Sequence, residues 1–403
     1  METLPDKVLI LSVGQTLEPL EFALSEHTPG GVVFVASQGS QSVAGELVRR
    51  YGGGLRYHTL LLDDPESLGE VFRRGREALH KALEWEARAI VADITGGTKT
   101  MSAGLVLALT GQGVTFSYVG GEQRDDQGRV LTGTERMRQL EDPTYRYGLR
   151  EWEGFRRAWN QGDFPAARDF ITELLARPLT PSEKRFYTHL EGITQGMEDW
   201  DLFRHKEAWQ GLERNLEPAL GIAEAWRHGA KVRVLHSLNE ARVRLRQILD
   251  KEHKPTFVLL ADLLANARRR QARQRYDDAL ARLYRAIELA AEADMYERTG
   301  IVLRDPQTYP SSLQQLAGRA GRTLGLKETL GLAFEVDTAL KNTGTTAQRL
   351  YGDYQSRLQN PLQARNQSIL AHGIKPVDAE DLKPLWAYLG SLGLEAAPDW
   401  PAW

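Results

Sequence analysis

The first third of the chain alternates short apolar runs with helical stretches, and that alternation leaves few possible folds. Val8–Val13, Gly31–Ala36, His58–Leu62, Ala89–Ile94 and Val114–Val119 each read as a strand. Helical stretches separate them, at about 19–27, 41–50, 65–85 and 101–109. Runs that are apolar throughout, rather than on alternate positions, belong to strands covered on both faces. The reading is a doubly wound, Rossmann-like α/β domain with a parallel sheet, whose ligands bind at the carboxyl ends of the strands. Residues 120–133 read as a hairpin turning at Asp126-Gln127-Gly128.

After Glu141-Asp142-Pro143 the strand signals vanish and helical periodicity takes over. Trp152, Phe155 and Trp159, then a turn at Gln161-Gly162-Asp163, then Phe164, Ala167, Phe170 and Leu174 read as one helix–turn–helix hairpin with no second copy at a fixed period. Lys254-Pro255 is a break. The expected organisation is an α/β domain over 1–140, an all-α spacer over 141–254 and an all-α domain over 255–403. The helices of 257–297 carry a basic stretch, Arg268-Arg269-Arg270-Gln271-Ala272-Arg273-Gln274-Arg275. It reads either as a solvated helix face or as an RNA backbone contact. Trp400 and Trp403 of the tail are expected to dock on the body of the domain.

Composition removes several function classes. There is no cysteine, so disulfides, thiolate metal sites and a Cys nucleophile are impossible. The 9 His are scattered without H-x-x-x-H or H-E-x-x-H spacing, and no metal site is expected. Lys+Arg 51 against Asp+Glu 54 is not the balance of a nucleic-acid coat protein, although a local basic groove remains compatible with it. No helix-turn-helix DNA reader is visible, so DNA is not an expected partner. The N-terminus lacks a basic segment, and Val8–Val13 is too short for a signal or membrane segment, which needs ~20 apolar residues to span. The expected location is the cytoplasm, with no membrane partner.

Polar loops follow the strands. Ser12-Val13-Gly14-Gln15-Thr16 ends the first, Ser37-Gln38 the second, and Asp93-Ile94-Thr95-Gly96-Gly97-Thr98-Lys99-Thr100 the fourth. Glycines let backbone N–H groups approach a ligand, hydroxyls add donors, Lys99 adds charge, and a helix N-terminus favours anions. A P-loop is excluded because Thr98 separates Gly97 from Lys99. A dinucleotide fingerprint is excluded because Gly14 stands alone. The candidate ligand-binding residues are Ser12, Gly14, Gln15, Thr16, Ser37, Gln38, Thr95, Gly96, Gly97, Thr98, Lys99 and Thr100. This domain, with its D-x-T-G-G-T-K string from Asp93 to Lys99, resembles the CARF domains of type III CRISPR defence. That resemblance implies a sensor of cyclic oligoadenylate that works across a homodimer interface.

Near the C-terminus, Arg365-Asn366-Gln367-Ser368-Ile369-Leu370-Ala371-His372-Gly373 resembles the R-x(4–6)-H signature of HEPN ribonucleases. Arg74 and His80 satisfy the bare spacing too, and read there as chance on a solvated helix. The candidate catalytic residues are Arg365, Asn366 and His372. Arg365 and His372 are expected on one helix, sharing a face, with the helix ending just past His372 at Gly373 and Pro376. RNA carries its own nucleophile, the 2′-hydroxyl, so positioning, charge stabilisation and proton transfer suffice.

The whole order of domains resembles the CARF–HEPN ancillary ribonucleases of CRISPR systems. The resemblance implies a homodimeric, metal-independent endoribonuclease without a cofactor, activated by cyclic oligoadenylate, that cuts single-stranded RNA to 2′,3′-cyclic phosphate ends. Two rivals remain open at this point: a ligand-binding regulator or adaptor without nuclease activity, and a ring nuclease that degrades the cyclic nucleotide in the N-terminal domain.

Overall fold

The computed structural model describes residues 5–52, 54–123, 133–320, 324–370 and 373–403. The chain divides into two compact units, 1–150 and 151–403.

The first unit is built on a six-stranded sheet. Its elements run β1 (Lys7–Val13), α1 (Glu18–His27), β2 (Gly31–Ser37), α2 (Gln41–Tyr51), β3 (Arg56–Leu62), α3 (Leu68–Glu84), β4 (Ala89–Asp93), α4 (Lys99–Leu109), β5 (Thr115–Gly121), β6 (Glu135–Leu140) and a short α5 (Pro143–Arg146). The strand order is β3-β2-β1-β4-β5-β6, parallel except for the last pair. Alternate residues of one strand enter different cores, as the period of two requires. Val8 and Ile10 pack with Val71 and Ala78 of α3 and Leu105 of α4. Leu9, Leu11 and Val13 pack with Leu20 and Leu24 of α1 and Leu47 of α2. The chain leaves β3 at one side of β1 and re-enters at β4 on the other, so the topological switch point lies between β1 and β4.

One strand escapes the sequence reading. The hairpin pairs Thr115–Gly121 with Glu135–Leu140, so its strands flank 120–133 rather than lie within it. The proposed turn, Asp126-Gln127-Gly128, falls outside the described residues. β6 is an edge strand with Glu135, Arg136 and Arg138 on it, and charge on an edge deters pairing with other chains.

The second unit is helical. It comprises α6 (Leu149–Asn160, entering from the end of the first unit), α7 (Phe164–Leu175), α8 (Pro181–Asp201), α9 (His205–Ala225), α10 (Gly229–Asp250), α11 (Phe257–Ala272), α12 (Tyr276–Thr299), α13 (Gln314–Ala320), α14 (Leu326–Ala339), α15 (Thr346–Asp353), α16 (Gln359–Gln367) and α17 (Ala379–Ser391). Between α12 and α13, Pro306–Thr308 forms a 3₁₀ turn. Among the described residues no helix is long and apolar enough to cross a membrane.

Two apolar cores form, one from α6–α10 and one from α11–α17. Trp400 and Trp403 both pack on the first of these. The indole of Trp159 donates to Pro401 O at 3.0 Å. The cores meet at buried polar groups. The Trp200 indole donates to Asp262, and Arg269 and Arg270 pair with Asp201 at 3.0 and 2.7 Å. The basic stretch is therefore not wholly a solvated face, nor wholly available to RNA. Its two central arginines are buried because they neutralise Asp201.

Lys231 of α10 is 8% exposed and carries no ion pair among the described residues. Its ammonium lies 4.7 Å from the ring centres of Trp152 and Phe186, 5.1 Å from Trp226 and 5.4 Å from Tyr187. Those faces attract a cation. Burial pushes its pKa from 10.5 down to about 8, with the charge of Glu183 pulling upward. Burial pushes neighbouring Tyr187 up to about 12, so it titrates later. Between pH 8 and 10.5 the unfolded chain holds a proton that the folded chain releases, so folding stability rises with pH across that window. Lys231→Met should remove up to about 3 kcal/mol of that rise. The check is chemical denaturation of both proteins at pH 7.5 and 10.5.

Candidate functional site

The loops after β1 and β4 meet at the switch point. A Cβ on Gly14 would lie 2.6 Å from Gly97 N, and one on Gly96 would lie 2.4 Å from Ser12 O and 2.8 Å from Gly14 N. The two backbones touch where no other residue type fits, and Gly97 adopts φ +83. The buried Ser12 hydroxyl donates to Gly96 O at 2.7 Å. Ser12 thus holds one loop against the other.

Other hydroxyls of this rim are also committed within the protein. Thr95 Oγ1 accepts from Val119 N at 2.8 Å. Thr98 caps α4 by accepting from Met101 N and donates to Pro65 O. Thr100 donates to Glu66 at 2.9 Å. Ser37 pairs with Ser40 at 3.1 Å, and the exposed Gln15 donates to Gly39 O at 3.0 Å, joining the β1 and β2 loops. Gln38, Thr16 and Lys99 are exposed, and Lys99 has no ion pair among the described residues. Lys99 opens α4, so its side chain leaves from a helix N-terminus.

A buried group that the sequence reading left out of the site underlies this rim. Asp93 is fully buried, with one carboxylate oxygen accepting from Thr95 N at 3.0 Å and the other from Ser117 Oγ at 2.7 Å. Ser117 Oγ also meets His27 Nε2 at 2.9 Å. Burial pushes the Asp93 carboxyl above its usual range, opposed by the bonds from Thr95 and Ser117. Burial lowers His27, opposed by the charge of Asp93. An acid closing an apolar run was the available signal for Asp93. His27 and Ser117 gave none, because only pairing across the sheet brings them to it.

In the second unit, Arg365 lies in the last turn of α16. Its guanidinium carbon is 4.7 Å above the ring of Tyr284 on α12, and its Nη1 is 3.4 Å from Asn366 Oδ1. Burial raises the Tyr284 hydroxyl. His372 lies outside the described residues. The expected single helix from Arg365 through His372 is corrected: α16 ends at Gln367. Ser368 turns to extended backbone and its hydroxyl donates to Arg365 O at 2.9 Å. Lys375 N and Gly373 N then take the carbonyls of Gln367 and Ser368, at 2.9 and 3.1 Å. The chain returns to the helix end so closely that a Cβ on Gly373 would meet Gln367 O at 2.0 Å. Ile369, Leu370 and Ile374 on this return are largely exposed. The helix preceding Arg365 also contains a π-helical segment, Tyr354–Leu358, a distortion common near functional sites. Pro361, just beyond it, has no N–H to give the regular ladder.

Arg74 and His80, the chance match, sit on α3 beside Glu77 and Glu84 at 2.7 and 3.3 Å.

Two family models match the helical region: the Csm6 6H domain over residues 147–240 and the Csm6 HEPN domain over 248–392. Between them they account for more than half of the chain, and the second contains Arg365, Asn366 and His372. The chain belongs to the CARF–HEPN ancillary family of type III CRISPR defence. Members of this family are CRISPR ancillary nucleases. Among solved structures, Enterococcus italicus Csm6 bound to cyclic hexa-2′-fluoro-hexa-dAMP is 9% identical, covering 96% of this chain and 92% of that one with a TM-score of 0.43. A type III CRISPR defence DNA nuclease activated by cyclic oligoadenylate is 19% identical, covering 46% and 33% with a TM-score of 0.26. Can2 from Sulfobacillus thermosulfidooxidans in complex with cyclic tetra-adenylate is 14% identical, covering 50% and 68% with a TM-score of 0.25. No curated protein sequence matches.

The backbone contact at the switch point yields a test. Gly96→Ala forces the β1 and β4 loops apart and should cost about 1–3 kcal/mol. Gly45→Ala, in α2 with nothing within 4 Å of the added atom, should be neutral or slightly stabilising. Urea denaturation of both variants against the parent checks this, and equal stability of Gly96→Ala would refute the close contact.

Proposed function

We propose that the chain is a homodimeric, metal-independent endoribonuclease that acts in the cytoplasm on single-stranded RNA and is switched on by a cyclic oligoadenylate. The sensor spans about 1–140, a helical spacer 141–254 and the HEPN nuclease domain 255–403. The observation that carries the reading is the Arg365–Asn366 pair, which stands within the matched HEPN segment at the end of α16, stacked on Tyr284.

In this reading Arg365 binds the scissile phosphate and offsets the charge that builds on it. Stacking on Tyr284 and contact with Asn366 restrict the guanidinium before substrate arrives, so less of its freedom is lost on binding. The RNA 2′-hydroxyl gives its proton to water as its oxygen attacks phosphorus, the bond to the 5′ oxygen breaks, and His372 protonates that leaving oxygen. The products are a 2′,3′-cyclic phosphate and a 5′-hydroxyl. One Arg and one His are few for this chemistry, and a second protomer doubles them. The exposed Ile369, Leu370 and Ile374 support such pairing, because an apolar patch beside a polar site favours being covered.

The activator binds at the switch point. Gly14, Gly96 and Gly97 bring backbone N–H groups close to it. Thr16, Gln38 and Lys99 supply side-chain donors and charge, while Ser12, Gln15, Ser37, Thr95, Thr98 and Thr100 hold the loops in place. A two-fold dimer presents the same loops to each half of a cyclic ligand.

Arg365→Ala or His372→Ala should lower RNA cleavage at least a hundredfold, the usual scale for a proton-transfer or charge-stabilising group. Activator binding should be unchanged, and cleavage by the parent should persist in excess chelator. Gel assays of labelled RNA with activator, with and without EDTA, decide this. Activity retained in both variants sinks the catalytic assignment, and activity lost to EDTA and restored by a divalent ion sinks metal independence.

Lys99→Ala removes one charge per protomer from the activator site. A hydrogen bond to a charged group is worth about 1.5–3 kcal/mol, so the half-activating concentration should rise at least tenfold with the maximal rate little changed. Titration of cyclic oligoadenylate against RNA cleavage measures both, and an unchanged midpoint would make the loop a mere connection.

A further inference from the structure

Beneath the rim of the sheet domain a hydrogen-bond chain crosses three elements and ends on a half-buried imidazole. The carboxylate of Asp93, at the end of β4, accepts from Thr95 N on one oxygen and from Ser117 Oγ of β5 on the other. Ser117 Oγ in turn lies 2.9 Å from Nε2 of His27, the last residue of α1. Neither Ser117 nor His27 has a part in the candidate sites.

The number of protons settles which group donates. A serine hydroxyl has one proton to give. Ser117 gives it to the ionised carboxylate of Asp93, so its oxygen accepts from His27 Nε2–H. In a neutral His27 the bare nitrogen is then Nδ1. A proton added there makes an imidazolium and breaks no bond of the chain. His27 also closes α1, and a helix C-terminus favours a cation.

The buried carboxylate gives that extra proton its consequence. Asp93 is bonded to the amide of Thr95, next to Gly96 and Gly97, where the β1 and β4 loops touch. It holds the β4 loop, and it also sets a negative charge directly under the rim. Charges act on each other more strongly where water is excluded. In the free protein burial holds His27 below the usual imidazole range, so near neutral pH the chain carries the charge of Asp93 alone. A phosphodiester seated on the rim adds negative charge on top of it, and both draw a proton onto His27.

The other elements packed on His27 do not supply that counter-charge. From β1, the ammonium of Lys7 donates to the His27 backbone carbonyl at 2.8 Å and opposes protonation, while Glu26 on α1 favours it. β6 sets the neutral Gln139 opposite Ser117. Arg138 and Arg136, opposite Tyr118 and Gly120, belong to the other face of the sheet, and Glu135 stands at the far end, opposite Gly121. From α2, Arg50 reaches α1 at Glu21, 3.4 Å away.

We infer, on the activator reading proposed above, that binding of the activator to the β4 loop is coupled through Asp93 and Ser117 to uptake of a proton by His27. The proton adds to Nδ1 from solvent, and the Nε2–H stays on Ser117. Affinity for the activator is therefore greatest at low pH. It falls as pH rises from the free-protein value of His27, below 6.5, through the higher value of the complex, and then levels off.

The test uses the full-length protein with cyclic tetra-adenylate and cyclic hexa-adenylate as probes, whose phosphodiesters have no proton to exchange between pH 6 and 8. Calorimetry at pH 6.5 in MES and in imidazole buffer counts the protons taken up, because the measured heat then follows the ionisation enthalpy of the buffer. The parent should take up a fraction of one proton per protomer at pH 6.5 and none at pH 8, and should bind at least about twofold more tightly at pH 6 than at pH 8. His27→Gln sets an amide N–H where Nε2–H stood, so the bond to Ser117 is kept and the titration is lost. This variant should match the affinity of the parent at pH 8, take up no proton and show no pH dependence. His80→Gln, at an exposed position of α3, should behave as the parent does. Binding by the parent without proton uptake, or uptake undiminished in His27→Gln, overturns the inference and leaves the activator reading standing. Binding of neither probe by the parent overturns both.

Discussion

The helical unit depends on one buried carboxylate. Asp201, at the end of α8, is 5% exposed and faces Arg269, Arg270 and Asn266, all on α11. Taking an ion out of water costs several kcal/mol, so this arrangement adds little net stability over a well-packed apolar one. It sets position instead. Two guanidiniums and an amide can satisfy one carboxylate in few relative placements of the two helices. The neighbouring Trp200–Asp262 bond ties the same two helices one residue earlier. The core of α6–α10 is thereby fixed against that of α11–α17. The seat of Arg269 over Trp400, 3.5 Å from the ring, and the reach of Arg273 to Gly162 follow from it.

The sheet domain uses polar groups in the same manner. Between β1 and β4 the backbones approach until only glycine fits, and the hydroxyl of Ser12 and the carboxylate of Asp93 bind loop backbone beneath the surface. What faces outward is a smaller set: Thr16, Gln38, Lys99 and the N-terminal amides of α4. A rim whose own polar groups are satisfied internally presents donors at fixed places without paying to order them on binding.

How much of this could be read from sequence follows from the range of each interaction. Strands β1, β2, β4 and β5 were legible because burial on both faces leaves a largely apolar run, Val8–Val13 being the plainest, and the part-exposed edge strand β3 was legible through its Leu60–Leu62 end. β6 was not, because Glu135-Arg136-Met137-Arg138-Gln139-Leu140 has charged residues on an exposed edge and is a strand only through its pairing with β5. Gly14 and Gly96 could be identified as special, but that they touch each other needed the strand order. Arg269 and Arg270 were indistinguishable from Arg268 in a run of basic residues, since what separates them is a carboxylate on another helix. Tyr284 gave no signal, as nothing local marks a ring that will carry Arg365. At Gly373 the residue type was informative but the reason was not. It reads as a helix stop, whereas the helix has already ended and glycine is needed for the chain's return against Gln367 O.

Ile369, Leu370 and Ile374 lie on the return that begins one turn after Arg365, so in the proposed dimer whatever covers them would lie beside that arginine. Under the proposed switch, closure of the cleft there and activity are one equilibrium, and an activator shifts it only by binding the competent arrangement more tightly than the other. Moving such an equilibrium from 1:99 to 99:1 takes about 10⁴-fold differential affinity, about 5.5 kcal/mol. Two protomers that each gain one or two charge-assisted hydrogen bonds, at about 1.5–3 kcal/mol apiece, reach that sum. Lys99, exposed at the start of α4 and without an ion pair among the described residues, has that much to gain without first breaking one of its own. Ser12 and Thr98 do not, because their hydroxyls already hold the loops together. The energy of such a switch therefore has to come from the few groups that the fold leaves unspent.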